Sequence, residues 1–143
     1  MNISRKKLRI GDLLVENRII QQVDLDSALE EQRKFGRKLG RILIDKGHLT
    51  EEALLSFLSH QLGVPFVELA DIQFEPALVH LLPEVYARRF RALVLEERGN
   101  ALLIGMSDPT NLFAYDELAR ILARPMEIAV VREQELLDVI ERV

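Results

Sequence analysis

The 143-residue chain predicts an α+β protein: an N-terminal bundle of two repeated helix pairs, followed by a small α/β unit with a short sheet. Three observations carry that expectation. Residues 9–32 and 38–61 align without a gap as two 24-residue copies offset by 29, with identities at Gly11/Gly40, Leu14/Leu43, Leu25/Leu54, Ser27/Ser56, Leu29/Leu58 and Gln32/Gln61. Within each copy the apolar residues recur at helical spacing. After Gln61 the apolar period shortens toward that of strands, and Gly and Pro begin to punctuate the chain.

In the first copy Ile10, Leu13 and Leu14, then Leu25, Leu29 and Gln32, share helical faces; in the second Leu39, Ile42 and Leu43, then Leu54, Leu58 and Gln61 do the same. Each copy therefore reads as a short helix, a turn and a longer helix. Gly47 supplies a left-handed turn residue in the second copy, Thr50 is a good N-cap, and Glu51 and Glu52 complement the positive end of the helix that follows. The first copy has Arg18 and Gln21 at those positions, with Asn17 able to adopt the left-handed conformation instead. Its turn is expected to be the less ideal of the two.

Gly63 and Pro65 end the second helix, residues 64–69 (VPFVEL) read as a strand, and a linker is expected near 70–75. Pro83 opens a helix running to Phe90. Residues 92–97 and 101–106 read as a hairpin joined at Arg98-Gly99-Asn100, where Gly99 and Asn100 tolerate positive φ. Asp108-Pro109 breaks the second strand, 112–123 is an amphipathic helix, 126–131 is an apolar strand, and 133–142 is a closing helix. The expected organisation is 1–70 carrying the tandem motifs and 71–143 as a small α/β subdomain.

The net charge of −4 conceals an asymmetry: residues 1–48 carry 11 Lys/Arg against 7 Asp/Glu, and residues 49–143 carry 8 against 16. The first part can meet an anion. Phe35 is the only aromatic before Phe57, so the aromatic interleaving of a nucleic-acid platform is missing. A helix-turn-helix nucleic-acid binder would explain two short helix pairs, yet neither the repeated Gln nor the acidic total. Arg5, Lys6 and Lys7 read as a solvated tail. No apolar run approaches a membrane span, and the start lacks the apolar stretch of a signal peptide, so a cytoplasmic location is expected. Zero cysteines exclude disulfides and thiolate chemistry.

No enzymatic constellation is evident. His48, His60 and His80 lack metal-ligand spacing, no GxxxxGK[ST] loop occurs, and adjacent carboxylates such as Glu30/Glu31 and Glu96/Glu97 do not converge on one helix face. Neither a metal nor a catalytic residue is expected. The chemically suggestive residues are those that repeat. A glycine opening a helix lets backbone amides approach a phosphate, and a neighbouring Arg or Lys adds charge, so Arg9 with Gly11 and Lys38 with Gly40 offer this pairing twice. Gln32 and Gln61 lie on the leucine faces, where an amide can donate to and accept from a base edge or ribose.

On these residues the chain resembles the N-terminal domains of type IV pilus assembly and type II secretion ATPases, in the version that binds cyclic di-GMP. The two units follow R-L-G-x-x-L-x5-I-x4-L-x3-L-x2-Q, with Ile10 in place of the leucine and Lys38 in place of the arginine; five residues (RKFGR) separate them, and the likeness continues through GVPFVEL and Ser107-Asp108-Pro109. The resemblance implies a bacterial second-messenger sensor in which each motif grips half of one two-fold symmetric ligand. It implies Arg9, Gly11 and Gln32 as polar contacts of the first half, over an apolar bed of Ile10, Leu14, Ile20, Leu25 and Leu29. The second half would use Lys38, Gly40 and Gln61 with Leu39, Leu43, Leu49, Leu54 and Leu58, and Asp108 would accept from a guanine edge. It further implies an attached or associated ATPase motor, an inner-membrane platform protein as partner, and a place peripheral to that membrane. The alternative is a docking domain that couples the ATPase to its platform without binding nucleotide.

Overall fold

The computed structural model describes residues 10–143. In chain order these form helices α1 (Ile10–Glu16), α2 (Gln22–Phe35), α3 (Leu39–Asp45) and α4 (Glu51–Leu62), a 3-10 turn (Leu69–Asp71), helices α5 (Pro76–Val79) and α6 (Glu84–Phe90), strands β1 (Ala92–Arg98) and β2 (Ala101–Met106), helix α7 (Leu112–Leu122), strand β3 (Met126–Val130) and helix α8 (Glu133–Arg142). This is the α+β class expected. Two compact units result, one ending at Leu54 and the other Leu55–Val143, so the division falls within α4.

The first unit is built from the two copies, and their turns close alike. Asn17 N–H donates to Leu13 O, Arg18 N–H to Val15 O and Ile19 N–H to Leu14 O; 29 residues on, Lys46 donates to Ile42 O, Gly47 to Ile44 O and His48 to Leu43 O. The expectation of a poorer first turn is therefore corrected at the level of backbone bonding. Arg18, not Asn17, adopts the left-handed conformation, at φ 60, matching Gly47 at φ 80. Asn17 is committed elsewhere, since its Nδ2 donates to Leu13 O at 2.8 Å. The helices that follow are capped by different chemistry: Asp24 Oδ2 accepts from Gln21 N at 3.1 Å before α2, and Thr50 Oγ1 accepts from Ala53 N at 3.0 Å before α4.

The second unit is organised by a sheet of order β1-β2-β3, with β1 and β2 antiparallel and β2 and β3 parallel. Arg98 pairs with Ala101, so the hairpin turn is Gly99-Asn100 alone, one residue shorter than expected, with Gly99 at φ 61. A bulge at Leu95 breaks the register between Val94 and Glu96, which lets four successive residues, Ala92 to Leu95, all be buried. The segment 64–69 does not form the strand that its alternation predicts. Only Phe66 bridges to Val130, flanked by Val67 N–H to Val130 O at 2.9 Å and Val130 N–H to Pro65 O at 2.8 Å. Pro65 has no N–H to give, and the 3-10 turn at Leu69 ends the extended run. Leu93, Leu102, Ile104, Met106, Leu118 and Leu136 fill the core of this unit, each almost wholly buried.

Candidate ligand site in the helical repeat

Both motif glycines are shaped by packing. A Cβ on Gly11 would stand 2.4 Å from Leu25 Cδ1 and 3.0 Å from Leu39 Cδ2, and one on Gly40 would stand 2.7 Å from Leu54 Cδ2. The two leucines are equivalent residues of the two copies, so each motif fills the missing side chain of its glycine with its own leucine. This interlock brings the start of the short helix hard against the longer one. Leu39, which opens the second motif, also reaches Gly11 of the first.

The ten apolar residues expected to form a bed divide by depth. Leu14, Ile20, Leu25, Leu43, Leu49 and Leu58 are buried at 9% exposure or less, which leaves them next to no surface to offer a ligand. Ile10, Leu29, Leu39 and Leu54 are half-buried and do reach the surface. Of the expected bed, these four are the ones with side-chain surface to offer; full burial of a leucine such as Leu14 or Leu43 contributes about 2 kcal/mol.

Arg9 lies outside the described residues. Lys38 is exposed at the start of α3, where its extended backbone serves as N-cap. Gln32 and Gln61 are both half-buried. Gln32 Nε2 donates to Arg37 O at 3.0 Å, so the amide that ends the first motif holds the chain leading into the second. Asp108 lies in the Leu55–Val143 unit, where its Oδ1 accepts from Thr110 N at 3.1 Å and from Thr110 Oγ1 at 2.5 Å. It is, among other things, the turn residue before α7.

Charges in the helical unit are extensively paired. Arg37 bonds Asp45 and lies 3.7 Å from Glu31, and Lys46 lies 3.6 Å from the same Glu31. Arg41 pairs with Glu51 at 3.3 Å, and His48 Nδ1 lies 3.5 Å from Asp24. The sequence treats RKFGR as a spacer and so passes over Arg37, Glu31 and Asp45. Their link depends on which sides α2 and α3 turn to each other, and no linear spacing reveals that. Among the described residues no group of three or more His, Asp or Glu is arranged to hold a metal ion, and no helix is long and apolar enough to cross a membrane.

Comparison with known proteins extends these observations over nearly the whole chain. A solved structure of MshE with cdg, cyclic di-GMP, aligns with a TM-score of 0.85 at 43% identity, covering 94% of this chain and 98% of that one. The N-terminal domain of XpsE aligns with a TM-score of 0.75 at 25% identity, covering 94% and 92%. The type IV pilus assembly ATPase PilB of Myxococcus xanthus is 36% identical over 134 residues. That match takes in 94% of this chain and 24% of PilB, so the chain spans about a quarter of the length of this relative. Residues 62–143 match the MshEN domain, and the chain accordingly belongs to the MshEN domain family.

Proposed function

We propose that the chain is a cyclic di-GMP-binding regulatory domain serving a type IV pilus or type II secretion motor ATPase. The observation that carries this reading is the duplicated glycine–leucine interlock in a chain 43% identical to MshE, whose structure was solved with that ligand. Each copy has a short helix that opens at a glycine and a longer one that carries a half-buried glutamine near its end, and a two-fold symmetric dinucleotide offers each copy an equivalent half. Arg9, Gly11 and Gln32 serve the first half and Lys38, Gly40 and Gln61 the second, with Ile10, Leu29, Leu39 and Leu54 covering apolar ligand surface. Asp108 is a further acceptor in this reading. Lys38 stands where the first copy has Arg9, and an ammonium lacks the planar fork of a guanidinium, so the second half is the weaker grip. Catalysis belongs to the motor, and the platform at the inner membrane is where the assembled machine sits.

Titration calorimetry of cyclic di-GMP, with GTP and linear pGpG as controls, tests the proposal. Saturable one-to-one binding is expected. A neutral hydrogen bond is worth about 0.5–1.5 kcal/mol, so Gln32→Ala or Gln61→Ala each weakens binding by about two- to twelvefold. Absence of binding heat, together with no rise in melting temperature, would sink the sensor reading.

A second reading, a protein-docking domain, is favoured by one surface of the Leu55–Val143 unit. Phe113 and Val85 are 68% and 57% exposed. Arg89 lies 5.6 Å from the Tyr86 ring centroid, and Phe90 joins Tyr86 to Phe113 through ring contacts of 6.2 Å. Exposed aromatic residues beside arginine are the usual material of protein interfaces. The same calorimetry separates the two, since a docking domain alone takes up no nucleotide.

A further inference from the structure

We propose that Arg37 is a positioning residue for the ligand: it sets the distance between the last group of the first motif, Gln32, and the first groups of the second, Lys38 to Gly40. The inference rests on the cyclic di-GMP reading and assigns a task to the segment between the motifs. A dinucleotide of fixed span bound by both copies demands a fixed spacing between them, and the connection that must hold it is only five residues long. Gly36, at φ 68, caps α2 by donating its N–H to Gln32 O at 2.8 Å, and turns the chain into that connection. Arg37 follows this cap and holds what comes after it.

It does so from both ends. Its backbone carbonyl accepts from Gln32 Nε2 at 3.0 Å, which ties it to α2. Its guanidinium bonds Asp45 at the end of α3 and lies 3.7 Å from Glu31 of α2, whose carboxylate is shared with Lys46 at 3.6 Å. Arg37 thus fastens α2 to the far end of α3 while its own backbone leads into the near end. Lys46 adds a second link between α2 and the end of α3, whereas the other two cations of the spacer make none. Lys34 pairs with Glu30 on its own helix at 3.6 Å, and Arg33 is exposed. An isolated surface pair contributes little, but here one side chain, ordered once, serves several partners. Spacing held before the ligand arrives is ordering that binding need not supply.

The test is calorimetric titration of cyclic di-GMP into the whole chain and its Arg37→Gln, Arg37→Lys, Asp45→Asn and Arg33→Gln variants, each checked for unchanged melting. Ligand-free amide exchange is measured in parallel at Gly36 and Ile42, which donate to Gln32 O at 2.8 Å and Lys38 O at 3.1 Å, with Leu54, donating to Thr50 O at 3.0 Å, as internal reference. Arg37→Gln and Asp45→Asn are expected to bind about three- to tenfold more weakly. Arg37→Lys retains part of the affinity and Arg33→Gln all of it, and exchange at Gly36 and Ile42 accelerates in Arg37→Gln while Leu54 does not change. Wild-type affinity in Arg37→Gln, or unaltered exchange at Gly36 and Ile42, overturns the inference. If the parent chain takes up no cyclic di-GMP, the functional reading fails on its own account, and the exchange arm alone decides whether Arg37 sets the spacing.

Discussion

At Gly11 a single methyl group is the difference between a fitted and an overfilled helix contact. Leu25, 2% exposed, already occupies the volume, whereas Leu54 opposite Gly40 is half-buried and has room to turn. Gly11→Ala is therefore expected to destabilise by about 1–3 kcal/mol, the usual cost of overpacking, less the small gain in helix propensity. Gly40→Ala should cost visibly less. Urea denaturation of both variants checks the order, and an equal or reversed ranking would refute the packing argument. The glycines themselves were legible in the sequence as special positions. Their partners were not, because the residue that fills each gap lies 14 positions away and only the fold brings it there.

At the scale of elements, the paired turns separate what a residue contributes from what the backbone contributes. Both turns use the same three backbone bonds, yet one places arginine where the other places glycine, both at positive φ. A non-glycine residue in the left-handed region costs about 1–2 kcal/mol, partly offset by the greater unfolded-state freedom of glycine. Arg18→Gly should therefore stabilise the chain by about 0.5–1 kcal/mol, read as a higher urea midpoint at constant m-value. Most elements could be read from the sequence because caps, glycines and prolines mark them locally: Thr50 before α4, Pro83 before α6, Gly99 in the hairpin. The exceptions are those with nonlocal or minimal causes. Helix α5 is a single turn opened by Pro76, too short for any periodicity, and 64–69 has strand alternation but finds only one bridge on β3. The bulge at Leu95 was equally invisible, since it is defined by pairing against β2.

Across the whole molecule the two units differ in what holds them. The Leu55–Val143 unit has a sheet whose central strand, β2, is paired on both sides and buried from Leu102 to Met106. The repeat relies on short helices of seven residues joined to longer ones. Native-state amide exchange should therefore be slowest in β2 and faster in α1 and α3, since local opening follows the shorter, less paired elements. Protection of α1 equal to that of β2 would contradict this. Saturating cyclic di-GMP should slow exchange selectively in the repeat, because a ligand stabilises the conformation it binds, by about 2.7 kcal/mol at a hundredfold excess over Kd. The matched turns carry one more implication. KGHLT at 46–50 and NRIIQ at 17–21 share their main-chain bonds while differing at every side chain, so the joint's geometry does not depend on one sequence. A duplicated gene can let such joints diverge freely while selection works on the surfaces they hold apart.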